Sequence, residues 1–437
     1  MTIITRISEG LQEIMLEAAD KYEKLFIKRK REVTGRNFCQ TTVLGWLMEP
    51  ECTSEGLAQI GADFGLEITA QGLDQRFTED AAKFLKRVLE ETISKRIMSD
   101  EPTIAVLERF DNVYIEDSSI VSLPEELVTE WHGCGNGTEG KGNSAIKLQV
   151  RWELKRGNLD GPHLFDGRLN DNKAVGAHRE KEGNCLTIDD RGYWSLERFS
   201  KEAANNQVWL SYMKQTTHIV VDNVNYKIDE YLQNCTLDNL DIPILLGKQR
   251  QIPCRLLAKR LPPETAQKRR RETKRIARDK GQTASSATLT LCDWIVMVTN
   301  VPVELLSLTE ALTLIRIRWQ IELLFKLWKS FGQIDEFRSE NPWRVLCQLY
   351  AKLIGMVILH WLLLACVWQF PDRSLFKAAQ VIRRHLFTIA LALPSFDALH
   401  SALSHLRTSL ARGCRIKRSR KHPRAFQLLL ALEAHPA

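Results

Sequence analysis

The distribution of strand-like and helical patterns limits the fold of this 437-residue chain more than any other feature. Helical patterns fill residues 1 to about 100 and return from about residue 308 to the end. Between them lie the β-branched runs NVYIEDSSIV and AIKLQVRWEL, then the short run CLTIDD and the helical SLERFSKEAAN. Strands and helices in this order predict an α/β core with a mixed sheet. The length predicts about two to four domains.

A second set of strand-like segments lies between about residues 205 and 299. It consists of VWLSYM, HIVVDN, VNYKIDEYL, IPILLG, IPCRLLAKRL and TLCDWIVMVT, and the basic helical segment KRRRETKRIARDK interrupts it. We interpret this block as a β-rich insertion in the core.

One N-terminal segment has a helix-turn-helix pattern. In SEGLAQIGADFGLEITAQGLDQRF, Ser54 is expected to cap a helix that runs through Ile60, and Gly65 permits a turn. Thr69 is expected to cap a second helix that ends near Phe77. Such a pair can place its second helix in a DNA groove, although many helical hairpins never contact DNA.

Charge and cysteine usage indicate the partners and the compartment. Basic runs at Lys28–Arg31, Lys268–Lys280 and Arg412–Arg424 favour a polyanion such as nucleic acid, although any one run could be a solvated helix face. Ten cysteines without paired spacing predict free thiols in a reducing cytoplasm, and Met1–Gly10 has no apolar signal segment. The apolar stretch Leu353–Trp368 is shorter than the ~20 residues of a bilayer span, so we expect a buried core helix and no membrane partner.

The segment IRIRWQIELLFKLWKS, residues 315 to 330, is the most informative. At about 100° per residue, a helix places Arg318, Glu322, Lys326 and Lys329 in one narrow sector and the apolar residues in another. A salt-bridged helix would show the same spacing between Glu322 and Lys326. That simpler interpretation does not explain three cations and two tryptophans, one of them Trp319, around a single acid.

Two aspartates lie at the polar ends of strand-like runs, Asp117 in the first run and Asp190 where CLTIDD stops. Together with an acid from a helix laid against the sheet, they could form a site of hard oxygen ligands. Three adjacent carboxylates repel one another unless a cation lies between them. A pair of divalent metal ions would serve, and would also activate water or a 3′-hydroxyl for attack on a phosphodiester. Taken separately, such acids are more often turn formers.

These segments resemble bacterial insertion-sequence transposases of the DDE type, in the insertion-sequence-four group marked by a Tyr-x2-Arg-x3-Glu-x6-Lys motif. The motif matches at Arg318, Glu322 and Lys329, whereas Ile315 stands where the family has tyrosine. YIEDSSIVSLP resembles the family's first aspartate segment and DRGYWSLERF its second. The resemblance covers roughly residues 25 to 370 and implies an RNase H-like core.

The resemblance implies specific roles for these residues. Asp117, Asp190 and Glu322 would be the catalytic metal ligands, holding two Mg²⁺ ions or Mn²⁺ as a substitute, with Asp189 as the rival for the second acid. Arg318, Lys326 and Lys329 would grip phosphates near the transposon end, with Trp319 beside them on the motif helix. Trp294 lies where a related transposase stacks a flipped base, although a tryptophan on an apolar strand is more often part of a core.

The expected organisation is a helical DNA-binding domain at 1–100, the two parts of an RNase H-like core at 101–204 and 300–372, the insertion at 205–299, and a basic helical region at 373–437. The implied function is metal-dependent cleavage at terminal inverted repeats and strand transfer into target DNA, by a homodimer on paired ends. It would be cytoplasmic, and associated with the bacterial nucleoid when bound to DNA. Two alternatives stay open: an RNase H-fold nuclease without strand joining, and a catalytically silent DNA-binding protein derived from a transposase.

Overall fold

A computed structural model describes residues 1–28, 32–100, 104–134, 143–174, 178–368, 370, 372–417, 427–428 and 432. The chain is a mixed α/β protein that forms two compact units. The first unit contains the segments Met1–Pro102, Asp117–Arg179 and Gln320–Phe426. The second contains Thr103–Glu116, Glu180–Trp319 and Gln427–Ala437. The basic runs at 28–31 and 412–424 lie largely outside the described residues.

Most of the first unit is helical. A π-helix, Glu13–Ala18, joins its first two helices, and short 3₁₀ turns cover Glu23–Leu25 and Glu125–Leu127. Its α-helices are α1 Ile3–Gln12, α2 Ala19–Tyr22, α3 Gly35–Met48, α4 Ser54–Ala62, α5 Ala70–Asp74, α6 Glu79–Ser94, α8 Asp171–Ala174, α14 Trp319–Ser330, whose first residue belongs to the second unit, α15 Pro342–Leu364, α16 Leu375–Ala392 and α17 Phe396–Ala411.

The helix-turn-helix pattern corresponds to α4 and α5, with two differences from the prediction. Gly65 has φ of +73°, and the Thr69 hydroxyl accepts from the Gly72 amide at 3.1 Å, so the turn and the second cap are confirmed. The prediction that Ser54 is the first cap was wrong. Thr53 is the cap, because the Ser54 hydroxyl donates to Asp74 instead, at 2.6 Å. The second helix ends at Asp74, earlier than predicted.

Helix α15 forms the centre of the first unit. It is the one helix among the described residues that is long and apolar enough to cross a membrane, and the 18-residue stretch concerned is wholly buried within the protein. It packs against α3 and α6. The prediction of a buried core helix is therefore confirmed, although the helix begins earlier than predicted, at Pro342.

The first unit also contains β-strands, namely β2, β3 and the second part of β1. Strand β1, Asn112–Leu123, passes from the second unit to the first between Glu116 and Asp117. In the first unit the strand order is β3-β2-β1, and β2, Ser144–Glu153, pairs antiparallel with β3, Leu159–Asp166. Strand β3 was not predicted from the sequence.

The second unit is built on a mixed sheet, as predicted. Its strand order is β1-β4-β5-β10-β9-β8-β6-β7. The pairs β1–β4 and β4–β5 are parallel, and the remaining pairs are antiparallel. The strands are β4 Cys185–Asp189, β5 Val208–Tyr212, β6 His218–Val221, β7 Val224–Lys227, β8 Asn239–Leu246, β9 Ile252–Arg260 and β10 Trp294–Thr299.

The helices of the second unit include one long basic helix. They are α7 Ala105–Glu108, α9 Leu196–Ala204, α10 Ile228–Gln233, α11 Pro263–Asp279, α12 Ser286–Leu291 and α13 Leu308–Ile317, with a 3₁₀ turn at Arg191–Tyr193. Two predicted strands are shorter than expected. VNYKIDEYL becomes helical at Ile228, and TLCDWIVMVT begins as a strand only at Trp294.

The motif segment is two helices and not one. α13 ends at Ile317 and α14 begins at Trp319, with Arg318 as a turn residue between them. The sharing of one helical sector by Arg318 and Glu322 stays a prediction, because Arg318 keeps right-handed helical backbone angles, with φ of −46° and ψ of −34°. Glu322, Lys326 and Lys329 do lie on one helix, α14.

The cysteines agree with the prediction of free thiols. All ten are free, and eight of them are buried. Burial raises the pKa of the Cys39 thiol to about 12. Such thiols behave as small apolar core residues.

Candidate active site

The first acid, Asp117, lies in β1 and is half-buried in the first unit. Its Oδ1 accepts from the Ser118 amide at 2.8 Å. The Ser118 hydroxyl in turn donates to Asp171 Oδ1 at 2.8 Å, and the buried Lys147 ammonium donates to the same oxygen at 2.6 Å. The backbone beside Asp117 is thus held by an ion pair from β2 and α8.

The third acid, Glu322, lies in the first turn of α14 and is half-buried. Residues on the opposite side of this helix, among them Leu324, Leu327 and Trp328, are fully buried, which fixes the orientation of the helix. A carboxylate in the first turn also interacts favourably with the helix dipole.

Asp117 and Glu322 line one cleft of the first unit, with a volume of about 760 Å³. Lys326 and Lys329, predicted to bind DNA, line the same cleft. The Lys329 ammonium donates to the Ile120 carbonyl at 3.0 Å and lies 3.6 Å from Asp335 Oδ2. The other lining residues are Ser118, Ser119, Phe325, Ser330, Asp335, Glu336 and Phe376.

The donor set of this cleft fits a divalent cation. Two half-buried carboxylates that face one space repel each other, and a cation between them removes that repulsion. Carboxylate oxygens are the ligands that Mg²⁺ prefers. The lysines that line the same cleft can hold the phosphates of a polyanion.

Asp190, the second predicted acid, is half-buried in the second unit, where it precedes the turn Arg191–Tyr193. Its Oδ1 lies 3.7 Å from the guanidinium of Arg318, which is 8% exposed. Asp190 follows β4, and one of the two parallel partners of β4 is β1, through the pair Ile115 and Ile188.

Asp189, the rival for the second acid, is fully buried. Both of its oxygens accept from the Arg198 guanidinium, at 2.7 and 2.6 Å, and Glu116 lies 3.7 Å from the same guanidinium. Burial raises the pKa of the Asp189 carboxyl, while the Arg198 charge acts in the opposite direction. The Asp189 carboxylate is therefore already paired with Arg198 inside the protein.

The two tryptophans proposed as DNA contacts differ in exposure. Trp294 is 2% exposed and belongs to the hydrophobic core of the second unit, and the Arg260 guanidinium lies 4.3 Å from its ring centroid. Stacking on a base would require Trp294 to leave that core. Trp319 is 47% exposed.

Three residues near the predicted acids were missed in the sequence. Asp335 and Glu336 add two carboxyl groups to the cleft of the first unit. In the second unit, Tyr212 directly follows Ser211, the β5 partner of Asp189. Burial raises the pKa of Tyr212, Asp190 adds to that rise, and the Arg318 and Arg191 charges oppose it. No local pattern marks these positions, because only tertiary folding brings them near the acids.

Comparisons with known proteins identify the family of the chain. The family model described as "Transposase DDE domain" matches residues 108–358. The chain is 27% identical to the transposase for insertion sequence element IS231F of Bacillus thuringiensis subsp. israelensis, over 88% of this chain and 86% of the relative. It is 26% identical to the transposase for insertion sequence element IS1151 of Clostridium perfringens, over 76% and 74%. Since the family model covers more than half of the chain, the chain belongs to the transposase DDE domain family.

Proposed function

We propose that this chain cleaves DNA at the ends of its insertion sequence and joins the freed ends to target DNA. The observation that carries the proposal is the cleft of the first unit, where two acids from separate segments of the family domain, Asp117 and Glu322, lie beside two lysines. Relatives that share most of their length with this chain are named as insertion-sequence transposases.

Asp117, Asp190 and Glu322 would hold two Mg²⁺ ions, or Mn²⁺ in their place. Bound divalent ions polarise a phosphodiester and activate water or a 3′-hydroxyl for in-line attack. The three side chains supply hard oxygen ligands, and the contacts of Ser118 with Asp117 and Asp171 fix the backbone that presents the first of them.

Asp190 is favoured over Asp189 as the second acid by exposure and by register. Asp189 is buried against Arg198, whereas Asp190 is half-buried. Asp117 and Asp190 each follow, by two residues, the parallel partners Ile115 and Ile188. Asp190 follows the end of β4, whereas Asp117 lies within β1, just past the residues of β1 that pair with β4.

We further propose that the core is RNase H-like. Supporting this, β1, β4 and β5 are consecutive parallel neighbours in the second unit, and β2 and β3 form an antiparallel pair in the first. Strand β5 pairs with the core strand β4, so it belongs to the core. The β-rich insertion therefore starts after Tyr212 in this proposal and not at position 205. The other divisions, a helical DNA-binding domain at 1–100, a second core part at 300–372 and a basic region at 373–437, stay as proposed.

DNA contacts would come from both ends of α14. Lys326 and Lys329 would hold phosphates in the cleft, and the exposed Trp319 is the candidate for stacking on a base. Arg318 is buried beside Asp190, which favours orientation of that carboxylate. The partners would be terminal inverted repeats and target DNA, bound by a homodimer on paired ends in the bacterial cytoplasm.

Tyr212 would supply the hydroxyl that Ile315 lacks. Ile315 is 3% exposed on α13, at the motif position where the family has tyrosine. Tyr212 is half-buried at the end of β5 and experiences the charges of Asp190 and Arg318. Its phenol can donate a hydrogen bond to a phosphate oxygen.

Incubation of the purified protein with duplex DNA that carries its element's end tests the proposal. With Mg²⁺ we expect a nick that leaves a 3′-hydroxyl, and a joined product when target DNA is added. Chelator should abolish both. Nicks without joining from a pre-cleaved end would favour a nuclease, and binding without any metal-dependent nick would favour a silent DNA-binding protein.

A further inference from the structure

A cluster of side chains of the types that ligate metal ions lies in the first unit, among residues that do not line the cleft of Asp117 and Glu322. It consists of Asp160 and His163 on β3 and His178 further along the chain. One ligand atom from each residue lies within 4.8 Å of the others. His163 Nε2 is 2.9 Å from Asp160 Oδ1, and His178 Nδ1 is 3.4 Å from Asp160 Oδ2.

These contacts have the composition and spacing of a zinc site. Zinc takes imidazole nitrogens and carboxylate oxygens at about 2.0–2.2 Å in tetrahedral geometry, so its ligand atoms lie roughly 3.3–3.5 Å apart. The separation of 3.4 Å lies within that range and the separation of 2.9 Å is shorter than it, so small side-chain movements would admit an ion. Mg²⁺ prefers an octahedral set of oxygens and fits the two imidazoles poorly.

We propose that Asp160, His163 and His178 bind one Zn²⁺ ion, with water as the fourth ligand. Space for that water is available on one side, because Asp160 and His163 line a cavity of about 510 Å³. The His178 side chain is fully buried and that of Asp160 is 8% exposed, so the other side is closed to solvent.

Two arginines beside the cluster have other hydrogen-bond partners. Arg151, the β2 register partner of Asp160, donates to the Arg179 carbonyl at 2.7 Å. Arg179 follows His178, but its guanidinium donates to the carbonyls of Ile93 and Ser94, at 3.1 and 2.6 Å. Its backbone amide donates to Asp160 Oδ2 at 3.0 Å, which orients the carboxylate. Burial acts to raise the pKa of Asp160, but hydrogen bonds from both histidines outweigh it and hold the pKa well below its usual range, so the ligand is ionised.

The zinc ion would connect β3 to the chain beyond Asp171. Asp171 lies between His163 and His178 in sequence, and it accepts from the Ser118 hydroxyl next to the catalytic Asp117. Fixing both ends of this segment would restrict the position of Asp171. The ion would therefore be structural, with an indirect effect on the backbone of the first catalytic acid.

Zinc binding is best measured in a Glu322→Gln background, which removes one carboxylate of the proposed catalytic site. After treatment with chelator, we expect the full-length protein to take up one equivalent of Zn²⁺ in competition with a chromophoric chelator. Zinc should raise its melting temperature. Co²⁺ in place of zinc should give the visible absorption of a tetrahedral ion.

His163→Gln should weaken zinc binding by at least about 10-fold. Loss of a mere supporting contact already costs a metal site about 10- to 100-fold in affinity, and His163 would be a direct ligand. His132→Gln is the matched control, because His132 also faces an aspartate, with its Nδ1 3.3 Å from Asp166 Oδ2, and is not part of the cluster. His163→Cys keeps a zinc ligand and should restore binding, which separates lost ligation from poor folding.

Two results would overturn the proposal. One is that the chelator-treated protein takes up no zinc; the cluster would then be only a hydrogen-bonded network of one carboxylate and two imidazoles. The other is uptake of zinc with equal affinity by His163→Gln and His132→Gln.

Discussion

The Lys329 ammonium donates a hydrogen bond to the Ile120 carbonyl at 3.0 Å and so connects α14 to β1. Glu322 lies about two helical turns before Lys329 on the same face of α14, and Asp117 lies three residues before Ile120 on β1. The contact thereby fixes the two segments that carry the acids of the cleft. A shift of either segment would break this hydrogen bond.

Removal of either acid of the cleft should abolish cleavage. Asp117→Asn and Glu322→Gln keep the shape of the side chains and lose their charge, so metal binding should fail. We expect the nicking rate to fall by more than about 100-fold, since changes to mere supporting contacts of metal sites already cost 10–100-fold. Rates are measured on end DNA in Mg²⁺, with gel-shift binding as the control. Near-normal nicking by either variant would remove that residue from the site.

We expect Asp190 to be catalytic and the adjacent Asp189 to be structural. Asp190→Asn should stop nicking and leave urea unfolding unchanged. Asp189→Asn should lower the free energy of unfolding by about 1.5–3 kcal/mol, because Arg198 loses charged hydrogen bonds but keeps Glu116 and Glu202 as neighbours. Full nicking activity of Asp190→Asn would show that the second acid has been assigned wrongly.

Lys326 should contribute to DNA affinity through its charge. It is exposed in the cleft, and a contact with one phosphate adds about one unit to the slope of log affinity against log salt. Lys326→Ala and Lys329→Ala should each flatten that slope by this amount, measured by fluorescence anisotropy. Lys201→Ala, at an exposed position on α9 paired with Glu197, is the matched control. An unchanged slope would place Lys326 outside the interface.

The Tyr212 hydroxyl should affect cleavage and not stability. Tyr212→Phe removes one hydrogen-bonding group, and we expect nicking to slow by about 3- to 10-fold, as for the loss of one neutral hydrogen bond. The melting temperature should stay within error of the wild type. Equal rates for the two proteins would show that this hydroxyl does not replace the missing tyrosine of the motif.

His360 should make the stability of the first unit depend on pH. Burial lowers its pKa to about 4, against about 6.5 in an unfolded chain, and its Nε2 lies 2.6 Å from the Gly157 carbonyl. The neutral His360 therefore contributes fully to the free energy of unfolding above pH 6.5. That contribution, about 3 kcal/mol, is lost as the pH falls towards 4. Urea unfolding at pH 7 and pH 4.5 should show a smaller difference for His360→Gln. Equal differences would contradict this assignment.

The sequence correctly predicted features of the fold that depend on residues close together in the chain. Gly65 takes the positive φ of a turn, Thr69 caps a helix, and the apolar stretch from Leu353 became part of the buried helix α15. Adjacent Thr53 and Ser54 could each have capped α4, and the choice depends on Asp74, twenty residues away. The turn at Arg318 contains neither proline nor glycine, so no local signal marked it.

The sequence motif identifies the acids of the candidate site, but it does not identify the residues around them. Asp117, Asp190 and Glu322 follow from the resemblance to the transposase motif. Asp335 and Tyr212 lie on segments whose neighbours are set only by tertiary packing. Strand β3 was also missed, because it contains glycine and proline and takes its partner from β2.

The interleaving of the two units has a consequence for how the gene can be divided. Each unit is assembled from segments that alternate along the chain, and β1 changes unit between two consecutive residues, Glu116 and Asp117. No continuous fragment therefore encodes either unit. A stop codon at position 320 would remove α15 from the first unit while sparing most of the second. The shortened product would lack a complete hydrophobic core and be a substrate for proteolysis.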